Sequence, residues 1–350
     1  MYTGRRNDLI SVFHNGVGLA RNHETGNVSQ SCLDVFDREQ CEAWMKLQNT
    51  STTFKEHLER HGVNVTIFGK THIGGDIVAE GPKGFDDAKS QLSTLVRGAR
   101  VEKPTGDWLV GGTNVANVSD PLPPWRYNGK TNKDPNTYKA CIEALNQISQ
   151  DQPQLLHCSF FSPHPPFDTN ASYLSKITSD PPLPPSAFVD QEQQHPADRL
   201  ASIQKLHHDY SYISSDDNVQ HNVTVRYSKK QIETVRRVYY AMGAELDSWI
   251  GGILDALNQR EDAQDWYVIY LSDHGEMGME HLQTGKNTMY EASVRVPFLL
   301  SGTSIESKIS RDLVSLLDVF PTLCDLFEVE TPSDLSGRSV LVSSSSSSSS

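Results

Sequence analysis

The chain has 350 residues, of which 37% are hydrophobic and 21% charged, with a formal net charge of -13. That is enough apolar material for one large core or two modest ones. The acidic balance excludes nucleic acid, or any polyanion, held by a broad basic patch. No stretch approaches the ~18 uninterrupted apolar residues of a membrane span, so none is expected.

The segment Met1 to Arg6 is polar and carries no apolar h-region. The first helix signal lies further on. Thr53 can cap a helix over 54–61, with Glu56 completing a capping box and Gly62 as its stop. A β-branched, alternating run, Val63 to Phe68, then reads as a strand ending at Gly69. Directly behind it stand Lys70 and His72. In extended backbone residues two apart project to one side, so both can point at an anion, although either alone is more often a solvated loop residue. Residues 102–137, rich in proline, asparagine and acid, read as a long loop or lid.

Leu155 to Phe161 is an apolar run, a second strand. It runs into Ser162-Pro163-His164-Pro165-Pro166, where prolines restrict the backbone around His164. An imidazole held at a strand exit suits a general acid. Residues 180–227 read as another loop or lid. From Ser228 to about Gln259 the spacing predicts the longest helix. Ser228 and Gln231 form its capping box, and Ile232, Val235, Tyr239, Met242, Leu246, Trp249, Ile253 and Leu257 form a core stripe.

Trp266 to Leu271 is nearly continuous in apolar character, as for a parallel strand covered on both faces. It leads into Ser272-Asp273-His274-Gly275-Glu276. A carboxylate and an imidazole at the carboxyl edge of a sheet, where ligands of open α/β sheets bind, suit a divalent cation. The alternative is an aspartate capping the next turn beside a satisfied histidine. Lys286 follows in a polar loop, then a strand over 296–300 and a last helix near Asp318, in which Pro321 is tolerable in the first turn. The polyserine run Ser343 to Ser350 has nothing to bury and is expected to be disordered.

Strands alternate with helices, so the class is α/β. Asn27, Asn49, Asn64, Asn117, Asn170 and Asn222 each open an N-x-S/T triplet, which favours a secretory-pathway protein. The five cysteines, Cys32, Cys41, Cys141, Cys158 and Cys324, show no C-x-x-C spacing, which argues against zinc. By proximity Cys32 and Cys41 are the expected disulfide pair.

The motifs share one property. Three strand exits each carry a cationic or metal-binding group, and a loop lysine follows the third. Such an edge gathers positive charge in an acidic protein, and its natural ligand is a small tetrahedral oxyanion, as in ester hydrolysis at sulfur or phosphorus.

Ser272 to Glu276, continued through Glu280-His281, Gln283, Lys286 and Met289 to Pro297, resembles the metal-and-lysine segment of the sulfatases, within the alkaline phosphatase superfamily. Phe68 to Gly74 is similar to the Gly-Lys-x-His-x-Gly motif of that family. Gly84 to Asp86 and Ser315 to Thr322 are weaker marks. Tyr239 to Asp247, with Met279 to His281, most resembles a lysosomal arylsulfatase type that acts on 2-sulfated glucuronate in glycosaminoglycans.

The resemblance implies a sandwich with a mostly parallel central sheet flanked by helices. By position it makes Asp273 and His274 ligands of one Ca2+, and Lys70 and Lys286 sulfate binders. His72 would assist the nucleophile and His164 would protonate the leaving alcohol. The family nucleophile is a formylglycine matured from Cys-x-Pro-Ser-Arg by a formylglycine-generating enzyme. Thr3-Gly4-Arg5 matches the part just downstream of that motif, so the nucleophile and the first strand are expected upstream of Met1. Residues 1–342 would then be a partial catalytic domain that lacks the C-terminal subdomain. A sulfated sugar or sulfate ester is the implied substrate, in the lysosome or outside the cell. Two alternatives stay open: a phosphatase or phosphodiesterase of the same superfamily, and a non-catalytic binder of sulfated glycans.

Overall fold

The structure is a computed structural model that describes residues 38, 42, 52–70, 108–110, 134–164, 167–189, 193, 195, 196, 229–286 and 288–341. His72, Thr3 to Arg5, Gly84 to Asp86, Cys32, Cys41, Ser228 and the polyserine run lie outside the described residues.

Helix α1, Phe54–Arg60, starts as its sequence dictates. The Thr53 side chain accepts from the Glu56 amide, and the Glu56 carboxylate accepts from the Thr53 amide at 2.9 Å. These reciprocal bonds satisfy two of the amides that a helix start leaves orphaned. Gly62, at φ 83, turns the chain into strand β1, Asn64–Gly69. Strand β1 pairs in parallel with β3, Gln154–Ser159, in a register that sets Gly69 opposite Ser159.

Alternation along β1 sends Val65 and Ile67 to one face. There they join Phe54 and Leu58 of α1 and Val319, Phe320 and Leu323 of the last helix, α6, Val319–Leu326. Phe68 points the other way, to Ala140, Cys141 and Ala144 of α2, Asp134–Gln147, and to Ile253 of the long helix α4, Lys229–Asn258. The β1–β3 pair is thus a middle layer between helices. Burial of each large side chain here contributes about 1.5–3 kcal/mol.

Several expectations change. The segment 102–137 is not all loop: β2, Trp108–Val110, pairs antiparallel with β4, Asp168–Asn170, and α2 begins at Asp134. An Asp-Pro start followed by apolar Ala140, Cys141, Ala144 and Leu145 at helical spacing is the signal that the proline-rich composition upstream obscures. Within 180–227, Pro185–Phe188 form a 3-10 turn that buries Ala187.

Among the described residues strand β5, Val268–Leu271, pairs antiparallel with β6, Phe298–Ser301, rather than in parallel, and it is not covered on both faces. Its Ile269 and Leu271 face the core while Tyr270 is 40% exposed. An aromatic ring with a polar tip tolerates that half-wet position, which its apolar label conceals. Helix α6 is preceded by a 3-10 turn capped by Ser315 and Asp318, with Pro321 in its first turn.

A disulfide joins Cys141 of α2 to Cys158 of β3, with a Cα–Cα distance of 6.2 Å. The expected Cys32–Cys41 pair lies outside the described residues. On α4 the stripe includes buried Ile232, Val235, Met242 and Leu257, together with Val238 and Ala241, which the eight-residue stripe omits.

Candidate active site

Three chain exits converge. Lys70 leaves β1 through Gly69, which has φ 94. A Cβ on Gly69 would lie 1.8 Å from the Ser159 carbonyl oxygen, so the close approach of the two strand ends admits only glycine. The Lys70 amide donates to Ser159 O at 3.0 Å, and Ser159 Oγ donates back to Lys70 O at 2.5 Å. Lys70 is thereby fixed beside the segment that carries His164.

That segment turns sharply. The amides of Phe161 and Ser162 both donate to the Asp134 carboxylate at 2.7 Å, and the His164 amide donates to Phe161 O at 3.0 Å. The Lys70 ammonium sits 4.9 Å from the centre of the Phe161 ring, and the same ring lies 4.6 Å from the His164 ring. Phe161 therefore supports both groups.

After β5, Asp273 Oδ1 accepts from the His274 amide at 3.0 Å, and Ser272 Oγ donates to His274 O. Gly275 fits because a Cβ there would lie 2.0 Å from Ala292 O; its amide donates to Ser293 O. His274 Nδ1 lies 2.8 Å from Gly275 O. A carbonyl only accepts, so Nδ1 carries the proton and Nε2 presents a lone pair. That Nε2 is buried 3.6 Å from Asp273 Oδ2 and has no hydrogen-bond partner among the described residues. The aspartate does cap its turn, as the alternative reading requires, but the histidine is not satisfied.

The loop from Glu276 to Lys286 is strained and pinned. Met279, His281 and Leu282 take φ values of 76, 50 and 55, a region costly for residues with a Cβ. Glu276 Oε1 accepts from both Gly278 and Gly285 amides, and Arg236 of α4 donates to Gly278 O at 2.7 Å. Met279 and Leu282 are buried against Ile232, Val235 and Phe167. So held, the loop delivers Lys286, whose Nζ is 3.1 Å from His164 Nε2. The rings of His164 and His274 meet edge to face at 5.9 Å.

Lys70, His164, Asp273, His274 and Lys286 are thus brought together, and His72 lies outside the described residues. Burial lowers the pKa of the Lys70 ammonium, opposed by Asp273 and reinforced by Lys286. Burial likewise lowers that of the His274 imidazole, which favours the neutral, lone-pair form.

Among the described residues no group of three or more His, Cys, Asp or Glu side chains gathers to hold a metal ion. Asp273 and His274 nonetheless fit part of a cation site. A carboxylate oxygen and an imidazole lone pair facing each other repel unless a positive charge lies between them. Asp134, Phe161 and Glu276 carry much of this geometry, and motif reading alone overlooks the first two as site residues.

A family model described as Sulfatase matches residues 13–329. The chain belongs to the sulfatase family. Arylsulfatase K of Rattus norvegicus is 32% identical to this sulfatase over 316 residues, an alignment covering 85% of this chain and 49% of the rat protein. The chain spans about half the length, or less, of the curated relatives it matches.

A solved 2-O GAG sulfatase shares the fold with a TM-score of 0.59 at 16% identity, over 97% of this chain and 61% of that one. The phosphonate monoester hydrolase of Silicibacter pomeroyi shares it with a TM-score of 0.61 at 19% identity, over 97% and 64% of the two chains. Both likenesses establish the α/β sulfatase-type fold and nothing about substrate. Among the described residues no helix is long and apolar enough to cross a membrane.

Proposed function

We propose that this sulfatase is a sulfuric ester hydrolase of the arylsulfatase type, acting on a sulfated sugar such as a 2-sulfated glucuronate in glycosaminoglycans. The observation that carries the reading is the convergence of Lys70, Lys286 and His164 beside the Asp273–His274 pair, a cluster of basic side chains in a protein of net charge -13. Similarity to arylsulfatase K and the name of the 2-O GAG sulfatase support the substrate class.

In this reading Asp273 and His274 hold part of a Ca2+ site, where the ion when bound lends positive charge to the sulfate oxygens. A formylglycine, made by a formylglycine-generating enzyme on a segment outside these residues, is the nucleophile. The chain's own residues do the rest. Lys70 and Lys286 neutralise oxygens of the transferring group, and loss of one such contact costs on the order of 10²-fold in rate.

His164 protonates the departing alcohol. Lys286 now donates to its Nε2, so an anion that draws Lys286 away frees that nitrogen for a proton. His72 is assigned to help the nucleophile. Residues 1–342 are assigned as a partial catalytic domain and 343–350 as a tail.

Two lysines, in place of further carboxylates for a second metal, favour the less charged sulfate over a phosphoryl group. Lysosomal or secreted placement is supported by the Cys141–Cys158 disulfide, a bond of oxidising compartments. The test is sulfate release from 2-sulfated glucuronate by protein made together with the segment that carries the nucleophile, and calorimetric titration of sulfate into this chain. Saturable sulfate binding that weakens in Lys70→Ala and Lys286→Ala is expected. Equal affinity in all three proteins would sink the reading, and two tightly bound metals per chain would turn it towards phosphoryl transfer. Terbium luminescence lost in Asp273→Ala checks the cation site without reference to turnover.

A further inference from the structure

We infer that Asp134 is a positioning residue for the anion site: its buried carboxylate holds the Phe161–Ser162 backbone so that His164 and Lys70 face the same ligand. The inference rests on the anion-binding reading above and adds a residue to it.

Asp134 is only 2% exposed, and a carboxylate is rarely taken from water without a task. It stands in the first turn of α2, where the helix dipole favours negative charge. A helix start alone would explain an acid here, but not where its oxygens point. Oδ1 accepts from the Phe161 amide and Oδ2 from the Ser162 amide, each at 2.7 Å, the short length of charge-assisted bonds.

Two parallel amides from successive residues need a two-oxygen acceptor. A carboxamide offers one oxygen and turns an N–H towards the other donor. The clamp thus fixes the backbone that carries the Phe161 ring, and that ring lies 4.9 Å from the Lys70 ammonium and 4.6 Å from the His164 ring. His164 is fastened again through its amide to Phe161 O. Asp134 also adds its negative charge to the surroundings of Lys70, favouring the ammonium form there. One side chain, acting through the Phe161–Ser162 backbone, sets the placement of two groups at the ends of different strands.

The test compares this chain with Asp134→Asn, which keeps the shape and removes the charge. Two readouts separate positioning from mere folding. The first is sulfate affinity by calorimetry, expected to fall about tenfold in a variant whose circular dichroism is unchanged. The second is the NMR cross-relaxation between the Phe161 and His164 ring protons, expected to weaken.

A folded Asp134→Asn protein with sulfate affinity within about twofold of the parent and intact ring contacts overturns the inference. If the parent binds no sulfate, the functional reading fails, while the ring contacts still judge Asp134. If Asp134→Asn does not fold, amide exchange in the unaltered chain decides. Phe161 and Ser162 amides as protected as those of β3 support the clamp, and exchange at the rate of an open loop overturns it.

Discussion

Lys286 Nζ lies 3.1 Å from His164 Nε2, across 122 residues of sequence. An ammonium has only donors, so the contact makes Nε2 an acceptor and leaves the imidazole proton on Nδ1. In the proposed reading, a bound sulfate offers Lys286 a charged acceptor in place of a neutral one, and the stronger bond wins. Binding and the protonation of His164 are then coupled through one lysine.

Because the two side chains share a contact, their contributions should not add. Lys286→Ala and His164→Ala are each expected to weaken sulfate binding by about 1.5–3 kcal/mol, the range for hydrogen bonds to charged groups. The double variant should lose less than the sum by about 0.5 kcal/mol or more. Calorimetric titration of the four proteins measures the coupling, and strict additivity would refute it.

The Cys141–Cys158 bond closes a loop with a sequence separation of 17. Loop-closure arithmetic gives about 3 kcal/mol for a loop of this size. Cys158→Ser should lower urea-unfolding stability by that order and steepen the unfolding slope, because the denatured chain without the cross-link exposes more surface. A variant as stable as the parent would show that the bridge does not form.

His157, inside β3, titrates at about 4 because burial disfavours its charged form. The unfolded chain takes up that proton nearer 6.5, so between the two values the unfolded state binds more protons. Stability from this residue is therefore full above pH 6.5 and falls as the pH drops towards 4, by no more than about 3 kcal/mol. Urea midpoints measured from pH 7 to pH 4 should fall more steeply in the parent than in His157→Gln. Parallel profiles would contradict the assignment.

Gly69→Ala places a Cβ 1.8 Å from a backbone oxygen at a φ of 94. The strand ends must part, at an expected cost of at least about 1–3 kcal/mol. Lys70 should shift with them, so melting temperature and sulfate affinity should fall together. Gly62→Ala meets nothing within 4 Å and, though strained in φ, should spare sulfate affinity.

Asn64 opens one of the N-x-S/T triplets, yet its Nδ2 is buried in β1 and Thr66 is 3% exposed. A glycan on that nitrogen cannot coexist with the β1–β3 layer. Mass spectrometry of the protein made in a eukaryotic secretory host should find the Asn64 peptide unmodified. An occupied Asn64 in folded material would contradict the placement of β1.

How much of this was legible beforehand differs by kind of interaction. Capping at Thr53 and Glu56, the strand after Gly62, the long helix stripe and the helix start near Asp318 are set by neighbours three or four residues apart, so local sequence determined them. The groups at strand exits, Lys70, His164, Asp273 and His274, were legible for a similar reason, since a short polar run after an apolar strand has one place to go.

What only the tertiary structure decided are the relations between distant segments. The pairing of β5 with β6, the Cys141–Cys158 bridge, the Asp134 clamp on Phe161 and Ser162, and the Lys286–His164 contact each join residues whose separation carries no local signal. Hydrogen bonds and charge pairs of that kind are specified by position in space. The same aspartate in the first turn of α2 would satisfy every local rule whether or not a second backbone came to meet it.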